Sequence, residues 1–167
     1  LTTDAFSALT ATQIGALTTG QIGSLTTAQV NALSADQLDA LTTGQVQALT
    51  QTQVGALSTA QASALPAAQL AALTTDQLSW LSTAAIGGLS TTSLSALTTA
   101  QVGALTTAQT RALGTDQIAA LSTDQVSSLS TTDVGVLTSA QLQALGADQL
   151  ASVTTDQLSA LSTAQLD

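Results

Sequence analysis

The sequence predicts an all-α solenoid of very short capped helices, one per eight-residue repeat. Three regularities predict it. The 167 residues divide into twenty full octads and a seven-residue remainder, with no slip of register. Leu opens 20 of the 21 units, Val153 being the exception. Thr or Ser follows at position 2 in 18 units, and Gln stands three residues later, at position 5, in 17. Self-similarity at a fixed short period marks a stacked, quasi-one-dimensional fold.

Each position of the unit has a local reason. Thr or Ser followed three residues later by Gln is a capping box: the hydroxyl accepts from the third helical N–H, and the amide oxygen accepts from the cap N–H. Leu at position 1 then precedes the cap. The large apolar residue at position 6, Val, Ile, Leu or Phe in 19 units, falls one turn into the helix. Those two side chains form a hydrophobic staple. Asp occupies position 4 seven times, in the first turn, where the helix dipole favours negative charge. Position 7 accepts Gly15, Asn31, Asp39, Gln47 and Arg111 and reads as outward-facing. Position 8 is usually Ala and joins positions 1 and 6 in the expected core. Each helix is expected from position 3 to about position 8.

The exceptions fall at joints. Pro66 takes position 2 and disfavours helix at Leu65, so one helix ends before the next begins. Gly114 and Gly146 take the same place, where a bend is tolerated. Trp80 fills an Ala slot, and the next unit ends in Gly87–Gly88. That pairing suggests that the eighth positions of consecutive units touch. A lone unit buries too little to offset the entropy of ordering its backbone, so neighbouring units must share one core. Two or three units per superhelical turn both satisfy the pattern.

Two other architectures compete. One continuous helix would carry the Leu row around the rod by about 80° per repeat, leaving no face for a partner. A β-solenoid is favoured by the Thr content, but positions 1 and 6 differ in strand parity, so every unit would need an internal turn. The β-solenoid is the alternative fold.

Composition removes whole classes of function. There is no Cys or His, so ordinary zinc, copper, haem and iron–sulfur sites have no ligands. One Arg against ten acidic residues gives a net charge of −9, which opposes nucleic acid and anionic membrane surfaces. No apolar run approaches the roughly 20 residues of a membrane span. Asp is the sole plausible general base, and no cleft residues accompany it, so no enzyme is expected.

The motif as it stands at Leu97–Gln109, LTTAQVGALTTAQ, resembles the octapeptide "ALTTAQV" arrays of very long bacterial proteins. The resemblance covers the whole chain. Such proteins are often loosely labelled as haem-utilisation, adhesion or surface proteins; the haem label finds no iron ligand here. The resemblance implies an extracellular or cell-surface structural array. Residues 1–167 are read as a single uninterrupted array, expected to be part of a longer one. The expected function is an extracellular structural repeat protein building a fibre, sheath or surface layer. The alternative is an adhesin stalk that spaces a separate binding domain. The expected partner is the chain itself, with no nucleic acid, membrane insertion or small-molecule substrate.

No catalytic, cofactor-binding or metal site is expected. Three groups were natural candidates. Asp116 with Asp124, and Asp148 with Asp156, sit one repeat apart, yet hard cations need several converging oxygens. Asp36 and Asp39 lie three residues apart without an acidic cluster around them. Arg111 is the single cation and reads as a solvated substitution. The position-5 amides are expected to cap their own helices, with bonding between units or chains as the other reading.

Overall fold

A computed structural model describes residues 1–166. It contains twenty-one helices, α1 (Thr3–Ser7) to α21 (Thr163–Leu166), and no strand among the described residues. Most run from position 3 to position 7, as in α2 (Ala11–Gly15). A few take in position 8, as in α8 (Thr59–Ala64), α10 (Thr75–Trp80) and α14 (Thr107–Ala112). The all-α expectation is met, and the β-solenoid alternative is not.

The capping box explains where each helix starts. In α2 the Thr10 hydroxyl accepts from the Gln13 N–H at 3.3 Å while the Thr10 N–H donates to Gln13 Oε1 at 2.8 Å. The cap residue is extended, with φ −71° and ψ 157°, so the chain enters each helix from an open turn. The position-6 N–H closes the first helical bond, from Ile14 to the Thr10 carbonyl at 3.0 Å. At the other end the next Leu N–H reaches back to the position-6 carbonyl, as from Leu17 to Ile14 at 3.1 Å. Gly114 and Gly146 have no side chain to cap with, so only the amide limb of the box remains there. Their φ values of −73° and −72° are ordinary, so glycine supplies no special backbone at these joints. Pro66 supplies neither a hydroxyl nor an N–H, and α9 (Ala67–Ala72) starts without a side-chain cap.

The units stack three to a turn. Every helix packs against the helix three units further on, α1 on α4, α2 on α5, and so through α18 on α21. The path therefore has three sides, with 24 residues separating equivalent positions on successive turns. Positions 1 and 6 fill the interior: Leu33, Leu38, Leu41, Val46 and their repeats form one continuous buried cluster. Turns at either extreme have a stacked neighbour on one side only, and Leu150 and Leu158 are accordingly about half exposed, at 49% and 47%.

Three expectations about the unit need correction. Position 8 is not fully buried: its Ala residues are half-buried, as at Ala40, Ala48 and Ala56, and Ala48 and Trp80 pack against the buried cluster from its rim. Position 7 is not free. A Cβ on Gly103 would lie 2.7 Å from the Ser128 carbonyl oxygen, and one on Gly15 2.9 Å from that of Ala40. Position 7 therefore abuts the position-8 carbonyl of the next turn. Glycine avoids that oxygen, whereas longer residues donate to it: Ser63 Oγ to Gly88 at 2.8 Å, and Gln47 Nε2 to Ala72 at 2.9 Å. Finally, Gly88 does not answer Trp80. Its missing Cβ would meet Thr59 Cγ2 at 2.5 Å and Ser63 Oγ at 3.2 Å, both on α8, one turn earlier. Contacts between turns, not between consecutive units, set the size of positions 7 and 8.

Candidate functional site: an interior glutamine ladder

The most regular chemical feature of the chain lies at position 5. From Gln37 onward these side chains are buried until the last unit, where Gln165 is half-buried. A buried primary amide has one acceptor oxygen and two N–H donors to satisfy. The oxygen takes the cap N–H of its own unit. The nitrogen crosses to the turn before. Gln109 Nε2 donates to the Leu81 carbonyl at 2.8 Å, the Leu78 carbonyl at 2.9 Å and the Ser79 carbonyl at 3.3 Å.

The same bond repeats with a fixed offset. In fifteen units the amide nitrogen reaches the position-1 carbonyl 28 residues earlier, at 2.6–3.0 Å. Gln13 and Gln21 lie within 28 residues of Leu1 and have no such carbonyl below them. The two readings of position 5 are thus both correct: one amide caps its own helix and ties it to the previous turn. Those Leu carbonyls sit in the open turn between helices, outside any helical ladder, so the amide supplies the donor that the turn lacks.

Four units break the ladder. Ala5 lies in the first unit. Ala85 and Ser93 follow one another, and no donor among the described residues reaches the Leu57 and Leu65 carbonyls that amides at these positions would have served. Asp133 is the fourth. It is 2% exposed, Ser130 Oγ donates to its Oδ2 at 2.5 Å, and its Oδ1 is buried without a partner. Two further buried oxygens lack partners. Gln69 Oε1 lost its donor to Pro66, and Thr110 Oγ1 occupies an aliphatic position in the core.

The residues singled out in the sequence lie elsewhere. Asp36, Asp39, Asp116, Asp124, Asp148 and Asp156 are all exposed. Three units per turn place Asp116 and Asp124 on different sides of the solenoid. The stacked pair is instead Asp124 with Asp148, on α16 (Thr123–Ser128) and α19 (Ala147–Ser152). Among the described residues no three acidic groups, Cys or His come together as a metal cage. Arg111 is exposed near the C-terminal end of α14. No helix is long and apolar enough to cross a membrane. Asp133 had a signal in the sequence: it is the one Asp at position 5 rather than position 4 or 7 in a complete unit. Its burial becomes visible only when position 5 is known to face the previous turn.

Repeat, period and capping box together define a tandem octapeptide-repeat protein. The ALTTAQ repeat family matches residues 1–27, 19–51, 51–83, 75–107, 103–131 and 128–163, and the chain belongs to that family. No curated protein shows significant similarity to it.

Proposed function

We propose that this chain is a structural repeat protein of the bacterial cell exterior, whose array builds a fibre, sheath or surface layer, and that it is not an enzyme. The observation that carries this reading is the ladder. Each added unit with Gln at position 5 makes the same bonds to the turn before it, so the rod can lengthen without any new kind of contact. Its outer positions are hydroxyls, Ala and Gly with few charges, a surface on which a second copy can lie closely. Lateral association is read directly by electron microscopy and by sedimentation at rising concentration. Ordered bundles, and a sedimentation coefficient that climbs with concentration, are the expected results.

One observation favours the stalk instead. The seven position-4 carboxylates are exposed, and one Arg is the sole side-chain cation. Like charges on neighbouring rods repel over about a Debye length, roughly 8–10 Å at 0.1–0.15 M salt. A stalk predicts single rods at physiological salt, whereas a layer predicts association that salt strengthens. Single rods at both low and high salt would leave the spacer as the function.

A further inference from the structure

We propose that Asp133 holds a monovalent cation of sodium's size inside the solenoid, between α17 (Thr131–Gly135) and the turn before it. The argument starts from the register. A Gln at 133 would deliver its amide to the carbonyl of Leu105, 28 residues earlier, as fifteen other units do. It would also approach the carbonyls of Gly103 and Val102, the counterparts of Ser79 and Leu78 below Gln109. Asp133 brings an acceptor to a place built for a donor. No donor among the described residues reaches the Leu105 carbonyl, and Asp133 Oδ1 has no partner although the residue is 98% buried. By the repeat's register the unpartnered carboxylate oxygen and the undonated Leu105 carbonyl belong to the same gap in the ladder.

Ala85 and Ser93 break the same ladder but bring no charge, so a water molecule suffices at those gaps. Only at 133 is the missing donor replaced by a carboxylate, and a buried carboxylate demands a countercharge or hydrogen bonds. Ser130 gives it one, at Oδ2. Arg111, the only basic side chain, lies on α14, which packs on α17, but it is exposed to solvent and not in the interior with Asp133.

Size and charge choose the ion. The aspartate side chain is one methylene shorter than glutamine, a shortfall of roughly 1.3 Å. Added to the ladder's 2.6–3.0 Å bonds, this puts carboxylate and carbonyl oxygens roughly 4 Å apart. A cation bonded to oxygens at about 2.4 Å bridges such a gap. Calcium has a similar radius but takes 6–8 oxygens, commonly several from carboxylates. Here the register offers one carboxylate and the carbonyls of Leu105, Gly103 and Val102, and a single positive charge neutralises the carboxylate.

The test is thermal unfolding of the 167-residue chain in sodium chloride and in choline chloride at equal ionic strength, choline being too large to enter. Wild type is expected to melt about 2–4 °C higher in sodium. D133N and D133Q replace the charge by an amide, the latter restoring the repeat's own residue, and both are expected to melt alike in the two salts. Broadening of the sodium-23 resonance by wild type, absent with D133N, is the second expected signature. Equal melting of wild type in both salts would overturn the proposal. So would a sodium effect that survives in D133N, or a rise given by calcium chloride and not by sodium.

Discussion

Replacing Gln109 by Glu separates the two jobs of position 5 by the sign of the result. If the amide only capped α14, Glu would serve as well or better. It is a capping-box residue, and its charge near the helix N-terminus would add about 0.3–1 kcal/mol. The structure requires the opposite. Gln109 is 1% exposed; one carboxylate oxygen could still accept from the Thr106 N–H at the 2.9 Å now seen. The other would face the Leu81 and Leu78 carbonyls, now 2.8 and 2.9 Å from the amide nitrogen. Two neutral hydrogen bonds, about 0.5–1.5 kcal/mol each, are lost, and unpaired buried groups add about 1–3 kcal/mol or more. A net cost of about 3–5 kcal/mol follows. Urea unfolding followed by far-ultraviolet circular dichroism reads it, with Trp80 fluorescence as a probe near the same turn. Acid should rescue the variant. Repulsion from the carbonyls raises the folded-state pKa of the introduced carboxyl above its unfolded value of about 4.3. The protonated form can donate as the amide did. The variant is therefore at its most stable, relative to wild type, below about pH 4.3, and loses that stability as pH rises through the folded-state pKa. A Q109E protein as stable as wild type at pH 7 would refute the ladder as a source of stability.

Filling a gap should have the reverse effect: Ala85→Gln restores a donor to the Leu57 carbonyl and is expected to add about 1–3 kcal/mol in the same urea titration. Pro66→Thr supplies both a capping hydroxyl and the N–H that Gln69 Oε1 lacks, and should add about 1–2 kcal/mol, with slower amide exchange in α9. Two glycine substitutions form an internal control. Gly103→Ala drives a methyl to within 2.7 Å of the Ser128 oxygen and should lower the melting temperature. Gly44→Ala meets nothing within 4 Å and should raise it, through a helix-propensity gain of up to about 1 kcal/mol.

What the sequence made legible is what the unit decides alone. Thr10 and Gln13 fix a helix start, and Leu9 and Ile14 fix which face is apolar, because capping and stapling act within six residues. The number of units per turn is not a local property. It depends on how residues 24 to 31 positions apart meet, and the octad carries no mark of that distance. Everything misjudged depends on that same stacking. Position 7 varies widely because some residues avoid the next turn's carbonyl while others bond to it; Gly103 and Ser63 meet one constraint in two ways. Gly88 and Trp80 are close in sequence, but the side chains that crowd Gly88, Thr59 and Ser63, are a full turn away. Position 5 reads in the sequence as a cap for its own helix, and nothing in the octad marks it as buried. Its burial is possible because the preceding turn offers carbonyls that nothing else satisfies, and that is why a lone Asp133 is more consequential than seven Asp at position 4.

The central claim is that glutamine side chains bind each turn to the one before it with a 28-residue offset. Side-chain amide hydrogen exchange, resolved residue by residue by NMR, tests it most directly. The account predicts slow exchange for the Nε2 protons of interior residues such as Gln53, Gln77, Gln109 and Gln125, and fast exchange for Gln13 and Gln21, whose nitrogens have no carbonyl below them. All seventeen amides exchanging at one fast rate would contradict it.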